Sequence, residues 1–93
     1  GRLLMAFPNP FGASDQIRFV VPGDGPQQVK LRLFDLMGRS VKTFYNEQNL
    51  EPGSHFVNWN TVDDRGSRLR AGIYFLRYEV GNRSESVKLM VRP

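Results

Sequence analysis

Apolar and polar residues alternate along most of this chain with a period near two, and no stretch sustains a helical repeat. Leu3-Leu4-Met5-Ala6-Phe7 is a short apolar run. From Gln16 to Val21, Ile17, Phe19 and Val21 share one face and Arg18 takes the other. Gln28 to Asp35 sets Val29, Leu31 and Leu33 against Lys30 and Arg32, and Arg39 to Tyr45 sets Val41, Thr43 and Tyr45 against Lys42. Gly53 to Asn60 places Val57 and Trp59 opposite Phe56 and Asn58. Gly72 to Val80 offers Tyr74, Leu76, Tyr78 and Val80 against Arg77 and Glu79, and Ser84 to Arg92 offers Val87, Leu89 and Val91 against Lys88 and Arg92. The pattern predicts seven strands.

Turn chemistry separates them. Pro22-Gly23-Asp24-Gly25-Pro26 cannot continue a strand, because proline lacks the ladder donor and glycine relaxes to positive φ. Asp35-Leu36-Met37-Gly38 predicts a type I turn closed by Gly38. Glu51-Pro52-Gly53 is a further turn, and Gly81-Asn82 joins the last two strands as a tight hairpin. Seven short strands so spaced predict an all-β, seven-stranded antiparallel immunoglobulin-like β-sandwich, with Trp59 as its buried tryptophan.

At 93 residues the chain makes a single module, residues 1–93, with room for one core. Apolar residues at 40% and charged residues at 24% are ordinary globular usage, so disorder and a transmembrane segment are not expected. No basic stretch followed by an apolar one stands at the front as a signal peptide. Strand character already at Leu3 is what an excised part of a longer polypeptide would show. With no cysteine, disulfides, thiolate metal sites and cysteine nucleophiles are excluded together. A net charge of +4 permits anionic partners without proving any.

Candidate chemistry is sparse. His55 beside Ser54 lacks a visible third group or oxyanion hole, and one histidine cannot assemble a zinc site, so no catalytic residue and no cofactor is expected. Asn60, Asp63 and Asp64, with Gly66 closing the segment, form the densest oxygen cluster. A structural turn with Gly66 at positive φ is the favoured reading, and calcium is the alternative. Arg18, Lys30, Arg32, Lys42, Arg77, Lys88 and Arg92 all fall on the outward side of their strands. They could meet phosphate-bearing sugars of an outer membrane or guard sheet edges, whereas nucleic acid is not expected.

Phe7-Pro8-Asn9-Pro10-Phe11 is too short for a P-x-x-P ligand and reads as the opening edge of the fold. In an extended chain Phe7, Asn9 and Phe11 point one way, so both rings could plug one end of the sandwich.

The order of motifs is then familiar: Pro8-Asn9-Pro10-Phe11, Leu33-Phe34-Asp35-Leu36-Met37-Gly38-Arg39-Ser40-Val41, Trp59-Asn60 with Asp63-Asp64-Arg65-Gly66, Ala71-Gly72-Ile73-Tyr74-Phe75 and Ser86-Val87-Lys88-Leu89-Met90-Val91. From about Phe7 to the end, the chain resembles the C-terminal sorting domains of the bacterial type IX secretion system, in the subgroup similar to the immunoglobulin-like domain of the flagellar hook-capping protein. The resemblance implies a non-catalytic module at the C-terminus of a larger secreted protein. Such a tail takes a fused N-terminal cargo through periplasm and outer membrane to the cell surface or medium, and its partners are the translocon and a sortase-like protease. Contact with lipopolysaccharide is also implied. The implied sorting signal lies in the last strands, at Gly72, Ile73 and Tyr74 and at Lys88, Leu89, Met90, Val91 and Arg92, while Pro8, Asn9, Pro10, Asp35, Gly38, Trp59 and Gly66 are structural. A spacer or adhesive domain of a surface protein or hook cap, and a carbohydrate-binding accessory module using Phe75 or Tyr45, are the alternatives.

Overall fold

The computed structural model describes residues 2–7, 11–12 and 15–92. Its strands are β1 (Leu4–Phe7), β2 (Gln16–Val21), β3 (Gln27–Phe34), β4 (Ser40–Leu50), β5 (Gly53–Asn58), β6 (Gly72–Val80) and β7 (Arg83–Val91). They form a three-stranded sheet in the order β1-β2-β5 and a four-stranded sheet in the order β4-β3-β6-β7, with antiparallel neighbours throughout. This is the immunoglobulin-like sandwich that the alternation predicts.

The period-two pattern works because each sheet buries one face. Leu4, Ile17, Phe19 and Val21 from one sheet meet Val29, Leu31, Leu33, Leu76, Tyr78, Val80, Leu89 and Val91 from the other. A buried tyrosine needs a partner for its hydroxyl. Tyr78 donates across the sandwich to the Val20 carbonyl at 2.7 Å, and Tyr74 donates to the Arg70 carbonyl, four residues upstream, at 2.8 Å. The second contact is a tyrosine corner of the kind found in immunoglobulin-like sandwiches.

β4 departs from the expected strand. It runs on to Leu50, and its pairing with β3 skips a residue three times, between Val29 and Leu31, between Leu31 and Arg32, and between Leu33 and Phe34. The middle bulge places Phe44 beside Tyr45, so both reach inward: Phe44 meets Trp59 edge-on at 5.3 Å and Tyr45 meets Phe19 at 5.6 Å. The predicted inward set of Val41, Thr43 and Tyr45 holds for Val41 and Tyr45, which pack against the core, and is corrected at Thr43. Thr43 stands opposite outward Arg32, and Lys42, expected outward, stands opposite inward Leu33. Tyr45 is accordingly no exposed platform for a sugar.

The turns follow their chemistry. The Gly38 N–H donates to the Asp35 carbonyl at 3.0 Å with Gly38 at φ 82°, while Asp35 Oδ1 accepts the Met37 and Arg39 amides. Those bonds, led by the Arg39 amide, hold the Asp35 carboxyl below its ordinary value against the opposing effect of desolvation.

The two ends of the domain are stitched together. Phe11 is fully buried with its ring 5.6 Å from that of Trp59, and its backbone lies parallel to Val91. It donates to the Met90 carbonyl and accepts from the Arg92 amide. At the other end of β7 the Glu85 carboxylate accepts the Leu3 and Leu4 amides at 2.9 and 3.1 Å. The expected plug is thus present for Phe11, whereas Pro8, Asn9, Pro10 and the Phe7 side chain lie outside the described residues.

Candidate functional site

The two stretches expected to carry a sorting signal are adjacent. The Gly81-Asn82 hairpin sets Gly72 opposite Val91, Ile73 opposite Met90, Tyr74 opposite Leu89 and Phe75 opposite Lys88. Alternation then sorts them by access. Tyr74, Leu89 and Val91 are in the core, while Ile73, Phe75 and Met90 are 37%, 40% and 39% exposed and Lys88 is solvent-facing. A partner approaching this face meets only the second set. The apolar patch continues onto the tip of the β3–β4 hairpin, where Leu36 and Met37 are strongly exposed.

The same outer face of the four-stranded sheet carries cations. Arg32 stands directly opposite Arg77, a like-charge pair that is tolerable because one carboxylate, Glu79, serves both, at 2.8 Å from Arg32 and 3.8 Å from Arg77. Arg32 also lies over the Phe34 ring at 5.3 Å, and Lys30 reaches Glu47 at 3.9 Å. Lys88 has no ion pair among the described residues. The predicted basic face is not continuous. Arg18 lies on the other sheet, over Phe56 at 4.7 Å, and Arg92 turns to Asp15 at 3.7 Å. Lys42 turns to Asp64 at 3.6 Å.

The acidic cluster has backbone work of its own. Asp63 Oδ1 accepts the Arg65 and Ser67 amides, each at 2.9 Å, and Gly66 closes the turn at φ 83°. Asp64 covers the β4 edge: its N–H donates to the Val41 carbonyl, and its carboxylate accepts the Thr43 amide at 3.1 Å. The Asn60 carbonyl accepts the Thr61 hydroxyl at 2.7 Å, and Thr61 itself sits at φ 60°. No three acidic or imidazole groups among the described residues come close enough to hold a metal ion. His55 stacks on Phe19 at 5.3 Å with Nε2 at 2.7 Å from the Glu51 carbonyl, which anchors it to the end of its strand.

Sequence reasoning missed the tyrosine corner, the Glu85 stitch and the Asp64 edge cover. The first had a readable signal in the Tyr74 position at the start of a strand. The other two depend on which elements meet.

No curated protein sequence matches the chain significantly. Among solved structures, it is similar to dimeric latent PorU from Porphyromonas gingivalis, with a TM-score of 0.77 and 19% identity over 96% of this chain and 9% of that one. It is also similar to PorZ, described as an essential surface component of the type-IX secretion system of the same organism, with a TM-score of 0.61 and 18% identity over 97% of this chain and 11% of that one. At these identities the likeness establishes the fold. The chain spans about a tenth of the length of either neighbour. The model of one family, described as the secretion system C-terminal sorting domain, matches residues 5–92, and the chain therefore belongs to that family of type IX sorting domains.

Proposed function

We propose that this domain is the non-catalytic tail of a larger secreted protein, and that it directs a fused, preceding cargo through the type IX outer-membrane translocon to the cell surface or medium. The observation that carries the reading is the family match across nearly the whole chain. The geometry supplies a surface for it: Ile73, Phe75, Lys88 and Met90 stand together and outward across the β6–β7 hairpin. The signal is read by protein contact on that surface, with Gly72 setting its end at φ 154° and Tyr74, Leu89 and Val91 holding the strands in register. A sortase-like protease and surface lipopolysaccharide act after export, and the cations Lys30, Arg32 and Arg77 suit the latter.

The reading is tested by fusing residues 1–93 to a periplasmic reporter in a host with this secretion system. The reporter is expected at the cell surface or in the medium, and one retained in the periplasm defeats the idea. Met90→Glu is expected to abolish export while leaving the unfolding midpoint near that of the parent domain.

A further inference from the structure

The four sheet edges are not equally protected. β1 is four residues long and β5 six, β4 is bulged three times, and Asp64 lies across the backbone of Val41 and Thr43. Such devices keep an edge from accepting another strand. From Ser84 to Lys88, β7 is neither short, bulged nor, among the described residues, paired on its outer side: the strand is nine residues long and keeps unbroken register with β6, with exposed Lys88 and the inward Glu85 carboxylate as the charges along this stretch. The bonds from Phe11 to the Met90 carbonyl and from Arg92 to the Phe11 carbonyl identify the even-numbered residues as those whose backbone groups point away from β6. Ser84, Ser86 and Lys88 share that parity, are solvent-exposed, and have no edge partner among the described residues. Phe11 already occupies the far end of this edge as a short parallel strand would.

We infer that the open edge of β7, from Ser84 to Lys88, accepts an extended acidic and apolar segment of a partner protein as a fifth strand of the four-stranded sheet. Main-chain bonds supply the affinity and alternate side chains the selectivity. The acidic character follows from the row the new strand would join. Lys88 lacks a carboxylate, and next to it Arg77 competes with Arg32 for Glu79. The apolar character follows from Met90, Ile73 and Phe75, exposed on the same face. A lipid surface could meet the apolar and cationic side chains but cannot complete a backbone ladder. A second copy of this edge is disfavoured, because the one carboxylate of β7, Glu85, is turned inward onto Leu3 and Leu4. The inference rests on the sorting reading for its biological meaning, while pairing is measured without export.

The test is amide exchange and NMR titration of residues 1–93 with an end-blocked nonapeptide alternating glutamate and valine, against the same peptide with lysine for glutamate. Protection of the Ser84, Ser86 and Lys88 amides is expected with the acidic peptide, and the lysine peptide should bind about tenfold or more weakly. Ser86→Pro removes one outward donor without touching the β6 ladder, a position where an edge strand tolerates proline, so it should abolish pairing and leave the fold intact. Lys88→Glu should reverse the peptide preference. Equal binding of both peptides, protection elsewhere, or protection that appears with protein concentration alone overturns the inference. So does binding of anionic vesicles through Ile73 and Met90 with no acidic-peptide protection on β7. If Ser86→Pro loses pairing but its reporter is still exported, pairing is not the export contact. If the parent reporter is not exported while pairing persists, the sorting reading alone fails.

Discussion

The Tyr78 hydroxyl reaches from β6 across the core to the Val20 carbonyl on β2, 2.7 Å away, and so ties the two sheets through a single polar bond in an apolar interior. Burial first, and the nearby Glu85 charge second, push its phenol up from an ordinary 10.0 to about 12, against a smaller opposing effect of Arg83. In the folded protein the group therefore keeps its proton through a range where the unfolded chain gives it up. Its contribution is complete below pH 10.0 and is lost as pH rises toward about 12. Tyr78→Phe is expected to cost about 1 kcal/mol at neutral pH through the lost hydrogen bond and to flatten part of the alkaline decline. Urea unfolding of both proteins at neutral pH and at a pH between the two values checks this. Tyr74, also raised mainly by burial, supplies some of the remaining alkaline loss.

Glu85 predicts a different kind of loss. Its carboxylate is the acceptor for two adjacent amides of the first strand region, and charge-assisted bonds of this type are among the stronger ones. Glu85→Ala should cost about 1–3 kcal/mol. Hydrogen exchange should accelerate first at Leu3 and Leu4, before any change in the β3–β6 ladder.

Phe11→Ala removes a fully buried ring from its seat against Trp59 and should destabilise by about 3–5 kcal/mol. The Trp59 fluorescence maximum should shift red even in the native baseline, since water then reaches the indole.

Asp64→Ala should uncover the β4 edge. The Thr43 amide loses its acceptor and Lys42 its partner, for about 0.5–1.5 kcal/mol and faster exchange at Thr43. Calcium is expected to leave the thermal midpoint of the parent domain unchanged, because the Asp63 and Asp64 oxygens already accept backbone amides.

The sandwich was legible because β2, β3, β6 and β7 are regular and each half-buried strand writes its burial into every second residue. β4 was not, for a physical reason. Val41, Lys42, Thr43 and Tyr45 read as clean alternation, and the residue that breaks it, Phe44, looks outward until a bulge turns it in. A bulge is decided by what the neighbouring strand and core require. Similarly, the facing of Ile73 and Met90 was readable from the two-residue hairpin at Gly81-Asn82, while the role of Asp64 was hidden because it depends on β4 lying beside a turn about twenty residues away in sequence.

The stitching of Leu3, Leu4 and Phe11 to β7 also governs when the domain can finish folding. Contacts spanning nearly the full length of the chain are slow to close, since the closure entropy of the whole intervening chain must be overcome before they form. Until residues 85–92 are present, the opening segment has no acceptor for its amides and Phe11 no backbone partner. A prematurely terminated copy therefore exposes apolar surface at its beginning as well as along β6, beside its broken end. A machine that engages only the closed sandwich would thereby reject incomplete chains without inspecting the cargo.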